Sequence, residues 1–477
     1  MKKHHLLFLV IVAFQTLASA QSCLPDGIIF NTQAQIDSFQ INYPGCTEIG
    51  GSVVIANFIS NLSGLNVLTT IGGDLSIIRC PFLPDLSGLD NLISIGGNLS
   101  VGQESPAGSW VNSILSSLNG LESLESVGGN LIIGKNPTLT DISSLGDLVG
   151  VGGFLFFYNN SSLTNLNGLE NLTIINDCLT ITGSNLLSDL SGLSNITEIV
   201  NDLDLSCLGI INLEGLEGLE IIGGSLELTT LSSLQNLGAL NNLTDIGNDI
   251  RIEGSDIQNL LGIENITSIN GDLVLDHNYS LTSLSGVENL NSVGGNISID
   301  NTSLTDLTGL YNLTSLGGHL AIDGNNSLFS LEGLGNIEPQ SISDLYIYNN
   351  SLLSSCVVQS ICDYLVSPNG NVMIENNAPG CNSLEEVQEA CETLAIPSVD
   401  KQEVVWFFPN PAESFIFVKG TNQSVAQQVS IYNQMGQRVL QKEEAAGPVD
   451  VSRLLPGMYV IEIFSGELRT REKLIIQ

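Results

Sequence analysis

From residue 49 onward, apolar and polar positions follow one compound pattern. A stretch of the form L-x-x-L-x-G-L-x-N-L leads into I-G-G-x-L-x-I, where apolar and polar residues alternate. Strict alternation marks a strand with one buried face, and the glycine pair marks a turn into it. Thirteen copies of the second string begin at Ile49, Ile71, Ile95, Val127, Val151, Ile175, Ile199, Ile222, Ile246, Ile269, Val293, Leu316 and, most degenerate, Ser341. Successive starts lie 22 to 25 residues apart, except for one gap of 32 that holds an insertion from Gly102 to Ser113 with Pro106 and Trp110. A unit this short cannot bury its own apolar face. The pattern therefore predicts an all-β-dominated parallel solenoid, with the coils stacked on a shared core. With strands about 4.8 Å apart, the stack should be roughly 60 Å long, and the insertion should leave one coil as a loop.

A second periodicity supports the stacking. Asn136, Asn160, Asn278, Asn325 and Asn350 each stand five residues after the first apolar residue of their strand. A buried Asn there would pair with otherwise unpartnered corner backbone, and stacked copies would form a ladder. Cys80 falls in the same column, and Cys207 does so if its coil lost one residue, which predicts two buried free thiols. Cys23 and Cys46 flank a short strand and helix ahead of the first coil, where a capping disulfide is expected. Cys356, Cys362, Cys381 and Cys391 surround the far end; their spacing leaves all three pairings open. Cys178 is left over.

These strings resemble the receptor L-domain branch of the leucine-rich repeats, over roughly Cys23 to Cys391. The resemblance implies a fold and no particular ligand, because members bind unlike partners.

The flanks differ from the repeat. Residues 1–20 combine Lys2 and Lys3, an apolar run and Ala18-Ser19-Ala20, which reads as a removable export signal with maturation at Gln21. Cys23 follows Gln21-Ser22, a poor context for lipid attachment. The expected organisation is then a cap at 21–48, the solenoid at 49–350, a Cys-rich cap at 351–395, a linker at 396–403 and a tail at 404–477. The tail alternates apolar and polar residues between turns and predicts a small Ig-like β-sandwich of about 75 residues. Its strings Pro409-Asn410-Pro411, Tyr432-Asn433 with Gly436, and Leu455-Pro456-Gly457-Met458-Tyr459, followed by a basic final strand, resemble the C-terminal sorting domain of the type IX secretion system of Bacteroidetes. That resemblance implies a translocon as partner, removal of the tail, attachment of the remainder to surface lipopolysaccharide or its release, and a place at the outer-membrane surface or outside the cell.

Charge narrows the partners further. The net charge is −37, yet nine of the 50 acidic and eight of the 13 basic residues lie beyond Ile396. Between Gln21 and Ile396 the only basic residues are Arg79, Lys135 and Arg251. Such a surface repels nucleic acid and anionic lipid. Beyond the signal no apolar stretch is long enough to span a bilayer. The N-x-[ST] triplets at Asn61, Asn98, Asn171, Asn195, Asn242, Asn265 and Asn312 belong to the repeat string and read as by-products of the fold.

No catalytic constellation emerges. Outside the signal only His277 and His319 remain, and the sequence contains no phosphate loop, no G-x-S-x-G and no calcium loop. No cofactor or metal ligand set is assigned. Strand register offers two candidate ligand surfaces instead. If Leu155 and Phe157 point inward, Phe154, Phe156 and Tyr158 point outward beside Ile132 and Thr180, as a platform for sugars or a protein, unless the insertion around Trp110 covers them. The same register stacks Glu253, Asp276, Asp300 and Asp323 in one outward column. Crowded carboxylates invite calcium or a basic ligand, although a hydrated, screened face is also consistent. The expected function is recognition or adhesion at the surface. The alternatives are a structural surface-layer role and, more remotely, a β-helix polysaccharide-degrading enzyme using Asp276 and Asp300 as acid and base.

Overall fold

The computed structural model describes residues 21–102, 111–395, 405–412, 414–420, 428–433, 437–443, 448–465 and 468–477. The export signal, the linker and most of the insertion, including Trp110, lie outside the described residues. The chain divides into two compact units, with the boundary in sequence after Cys391.

The first unit is a parallel solenoid. Its main sheet has 15 strands in strict sequence order from Ile28–Phe30 to Val372–Glu375. Thirteen of these follow the glycine strings, and each cap adds one more. Register is kept residue for residue: Leu131 faces Leu155 and Leu155 faces Leu179. The Leu155 amide donates to the Cys178 carbonyl at 3.0 Å, so Phe154 and Cys178 lie side by side as coil stacking requires. The inward Leu, Ile and Val of every coil join one continuous buried core. Two-residue strands such as Thr70–Ile71 and Ser94–Ile95, just before the glycine strings, form narrower parallel sheets along a second side.

Polar ladders hold the coils in register. Inside, the amide of Asn136 donates to the Val101 carbonyl while its backbone N–H donates to Asn160. The ladder passes through Asn112, Ser184, Ser255, Thr302 and Asn377 as well as the predicted asparagines. Cys80 joins its beginning, donating its backbone N–H to Asn112. Cys207 does not: it is exposed and sits one residue earlier, in a left-handed conformation with φ +54°. Leu208 fills the buried position instead, because this coil kept its length up to that corner.

A further ladder explains the second glycine of each pair. At the residue entering the strand, Asp74, Asn98, Asn130, Asp202, Asp249, Asp272, Asn296 and Asp344 each accept the backbone N–H of the equivalent residue in the next coil. The glycine one coil on lies over that carboxylate or amide. A Cβ on Gly153 would stand 2.0 Å from Asn130 Oδ1, and one on Gly295 2.2 Å from Asp272 Oδ1. All eight Asp or Asn residues have a glycine there, whereas Phe154, Cys178, Ser225 and His319 are followed by Asp177, Asn201, Asn248 and Ser343.

The N-L-[ST] string also serves the stack. Asn171, Asn195, Asn242, Asn265 and Asn312 each donate their amide to a carbonyl of the preceding coil. Many acidic residues are likewise committed to turns: Glu122, Glu170, Glu217, Glu264 and Glu288 each accept the N–H of the glycine two residues earlier.

Both ends of the core are closed. Ile36 and Phe39 cover the first coil from two short helices, with the Cys23–Cys46 disulfide beside them. At the other end the helix Gln359–Val366 buries Ile361, Tyr364 and Leu365, and the cysteines pair as Cys356–Cys381 and Cys362–Cys391.

The second unit is an antiparallel sandwich. A three-stranded sheet and a four-stranded sheet enclose Ile416, Val418, Val429, Ile431, Ile461, Ile463, Leu474 and Ile476. The motif residues act within this fold. Asn410 donates to the Lys473 carbonyl and accepts from the Ile475 N–H, Asn433 closes a turn with Gln437, and Tyr459 donates its hydroxyl to the Leu455 carbonyl.

Candidate ligand face of the solenoid

Two outward positions of each strand build the exposed side of the main sheet. Along the first run Ser100, Ile132, Phe156, Thr180, Asp204, Glu227, Arg251, Val274, Ser298, Ala321 and Tyr346; along the second run Gly102, Gly134, Tyr158, Thr182, Ser206, Thr229, Glu253, Asp276, Asp300, Asp323 and Tyr348.

The aromatic trio is only partly as expected. Phe154 and Phe156 are half-buried and meet edge to face at 6.5 Å between ring centres. Tyr158 points outward from the strand yet is fully buried, and is not part of an exposed platform. The cause lies one coil away: Gly134 has no side chain, and the Tyr158 ring occupies the vacated space, where a Cβ would stand 1.9 Å from its Cε1. Phe156 then stacks on that ring at 4.6 Å.

The acidic column exists as read, with Glu253, Asp276, Asp300 and Asp323 facing one another in sequence across four strands. All four are half-buried, and each has a protein partner. Arg251 pairs with Glu253, His277 Nδ1 lies 2.6 Å from Asp276, Ser298 donates to Asp300, and Asn349 donates to Asp323 at 3.0 Å. Neighbouring side chains thus relieve the crowding that suggested a cation. Among the described residues no three His, Cys, Asp or Glu side chains converge to hold a metal ion. Burial still pushes the Asp300 carboxyl above its ordinary range, with Asp276 and Asp323 adding to the shift.

Sequence reasoning missed the neighbouring pair Asp204 and Glu227, which face each other on adjacent strands. Burial first, then Glu227, pushes Asp204 up to about 6. The alternation that exposed the other column marks this one too, since both residues occupy the second strand position. Also missed were Phe58 and Phe82, both exposed, which stack across the first two coils at 5.9 Å. On the second side of the solenoid a shallow depression of about 620 Å³ is lined by Thr47, Asn66, Thr69, Asn91, Glu125 and Asp147. Of the unpaired cysteines, Cys80 and Cys178 are pushed up to about 12 and about 11 by burial, which keeps their thiols protonated.

Stacked coils with parallel strands, inward Leu and Ile, and corner Asn or Cys make a solenoid of leucine-rich-repeat-like fold. Its tail identifies how it travels: residues 406–477 match the family model described as the secretion system C-terminal sorting domain. The protein is accordingly exported by the type IX system, to the cell surface or beyond it. A solved structure of the functional domain of InlJ from Listeria monocytogenes, described as including a cysteine ladder, shares 12% sequence identity with this chain. The correspondence covers 93% of this chain and 92% of that one with a TM-score of 0.24. No curated protein matches the chain. Among the described residues, no helix is long and apolar enough to cross a membrane.

Proposed function

We propose that the solenoid is a recognition or adhesion module, displayed or released outside the cell, that binds a protein or glycan through the outward face of its main sheet. One observation carries this reading. Inward strand positions are Leu, Ile, Val or Phe in every coil, whereas the outward positions range over Phe, Tyr, Thr, Ser, Asp, Glu and Arg. The fold imposes little on those positions, so their chemistry is free to serve a partner. Phe154 and Phe156 supply an apolar, stacking surface, and Glu253, Asp276, Asp300 and Asp323 supply negative charge for a cationic one. Catalysis is not part of this reading, because the column carboxylates are bonded to neighbours rather than aimed into a cleft.

Glycan and protein arrays probed with the full-length protein test the proposal. Binding that disappears in F154A/F156A or in D276N/D300N supports it. Binding that survives both double variants shifts the role toward a structural surface layer. A second reading, polysaccharide cleavage, draws on Asp204, whose carboxyl is pushed up to about 6 by burial and the facing Glu227, as suits a general acid. It predicts turnover on a soluble polysaccharide that D204N abolishes.

A further inference from the structure

The sorting domain must present something to the secretion machinery, and its motif residues are already occupied. Asn410, Asn433 and Tyr459 hold turns and strands within the domain, and Tyr432 donates its hydroxyl to Glu462. Its buried core takes the inner face of the four-stranded sheet. The outer faces of the two sheets remain: that of the three-stranded sheet shows Phe415 and Phe417, and that of the four-stranded sheet carries the basic side chains of the last strand.

Register fixes which side chains stand there. In the paired strands Gly457–Ser465 and Leu468–Ile476, Ile461, Ile463, Leu474 and Ile476 point inward. Their alternates Met458, Val460, Glu462 and Phe464, with Arg469, Arg471, Lys473 and Ile475, share the outer face. Arg469, Arg471 and Lys473 therefore form one row along the last strand, in a chain that is otherwise strongly acidic.

The two arginines of that row are held by a buried anion. Glu462 is 1% exposed and takes the Nε of both Arg469 and Arg471, while Arg469 also lies over the Phe464 ring. The guanidinium groups hold Glu462 below the usual carboxylate range against the opposing effect of its burial. One carboxylate cannot balance two guanidinium groups and Lys473, so the row stays cationic. Both arginine side chains remain open to solvent, at 51% and 59%, and their Nη atoms make no hydrogen bond to described residues. An arginine fixed through Nε presents its remaining donors in a set direction, which suits carboxylate recognition. Beside the row, Met458 and Val460 are 48% and 42% exposed, an apolar contact next to the charges.

We propose that the secretion machinery grips the tail on this outer face, and that its docking surface is an acidic protein patch with an apolar centre, seated on Met458 and Val460 and paired with Arg469, Arg471 and Lys473. A basic row with two fixed arginines steers an acidic partner and sets its register.

Export of the full-length protein from a bacterium carrying a type IX system tests this, with surface and medium fractions compared with the retained fraction. Lys473 makes no contact with Glu462, so K473E leaves the buried anion intact; it should lower export about tenfold. The triple variant R469Q/R471Q/E462Q removes the row together with the anion beneath it, so no uncompensated charge is left buried; it should lower export as much or more. R453E, a reversal elsewhere on the domain, should be exported like the original. Wild-type export of both K473E and the triple variant overturns the proposal, as does an equal loss in R453E, which would make net charge the determinant. Loss of binding to phosphatidylglycerol vesicles with export unchanged would assign the row to lipid and overturn it as well. Thermal unfolding of each variant separates a lost contact from a lost fold: a variant that melts like the original and is not exported counts for the proposal.

Discussion

At the scale of single residues, the second glycine of each pair is needed to leave room for a neighbour's side chain. Gly153 lies over the amide of Asn130, which accepts the Phe154 N–H at 3.1 Å. Gly153→Ala should therefore cost about 2 kcal/mol, the usual size of a forced overlap in a packed interior. Asn130→Ser should cost about 1 kcal/mol for its hydrogen bond. The double variant should be hardly less stable than Asn130→Ser alone, because the shorter side chain vacates the space the new methyl needs. Denaturant unfolding of the four proteins measures the coupling, expected at about 1 kcal/mol or more; simple additivity would reject the steric explanation. This pairing was open to the eye in the sequence, since a glycine follows every Asp or Asn of the column by one coil. It needed the stacked geometry to acquire a cause.

At the scale of the strand, the outward face was only half legible. Alternation told which side chains leave the core, and it placed Glu253, Asp276, Asp300 and Asp323 in one line. It did not tell what meets them there. Tyr158 is covered because a coil-distant Gly134 makes room for its ring, and the carboxylates are calmed by Ser298 on the same face and by His277 and Asn349, which alternation does not select. Cys207 was misplaced because one residue of length decides between a buried and an exposed corner. The adjoining pair Asp204 and Glu227 gives this face a pH signature. Asp204 titrates at about 6 in the folded chain instead of the ordinary 3.8. Between those values the folded protein holds a proton that the unfolded chain has released, so stability falls as pH rises through the window and the contribution is lost above about 6. Asp204→Asn removes the charge altogether. Its melting temperature should exceed that of the original by about a degree or two at pH 7.5 and coincide with it at pH 3.5. Equal melting temperatures at both values would mean that Asp204 is better solvated than its surroundings indicate.

At the scale of the whole molecule, stability is a sum over neighbours. Each coil touches only the coils on either side, so the ends carry the fold's weakest point and the caps protect it. The C-terminal cap seals the last coils with Ile361, Tyr364 and Leu365 and ties itself down through Cys356–Cys381, a link spanning 25 residues. A cross-link of that span is worth about 3 kcal/mol through the entropy it removes from the unfolded chain. In a globular protein that loss would be spread over the whole domain. In a solenoid with nearest-neighbour coupling it should stay local. Replacing both cysteines with serine should therefore raise amide hydrogen exchange in the strands Leu345–Tyr348, Leu320–Asp323 and Ile297–Asp300, in decreasing order, and leave Val53–Ala56 and Leu75–Ile78 as protected as before. The internal Asn ladder makes this gradient gradual, since Asn325 and Asn350 pass hydrogen bonds from coil to coil up to Asn377 beside Cys381. Uniform loss of protection from the first strand to the last would show that thirteen repeats unfold as one unit, with the ladders rather than the caps setting the cooperative length.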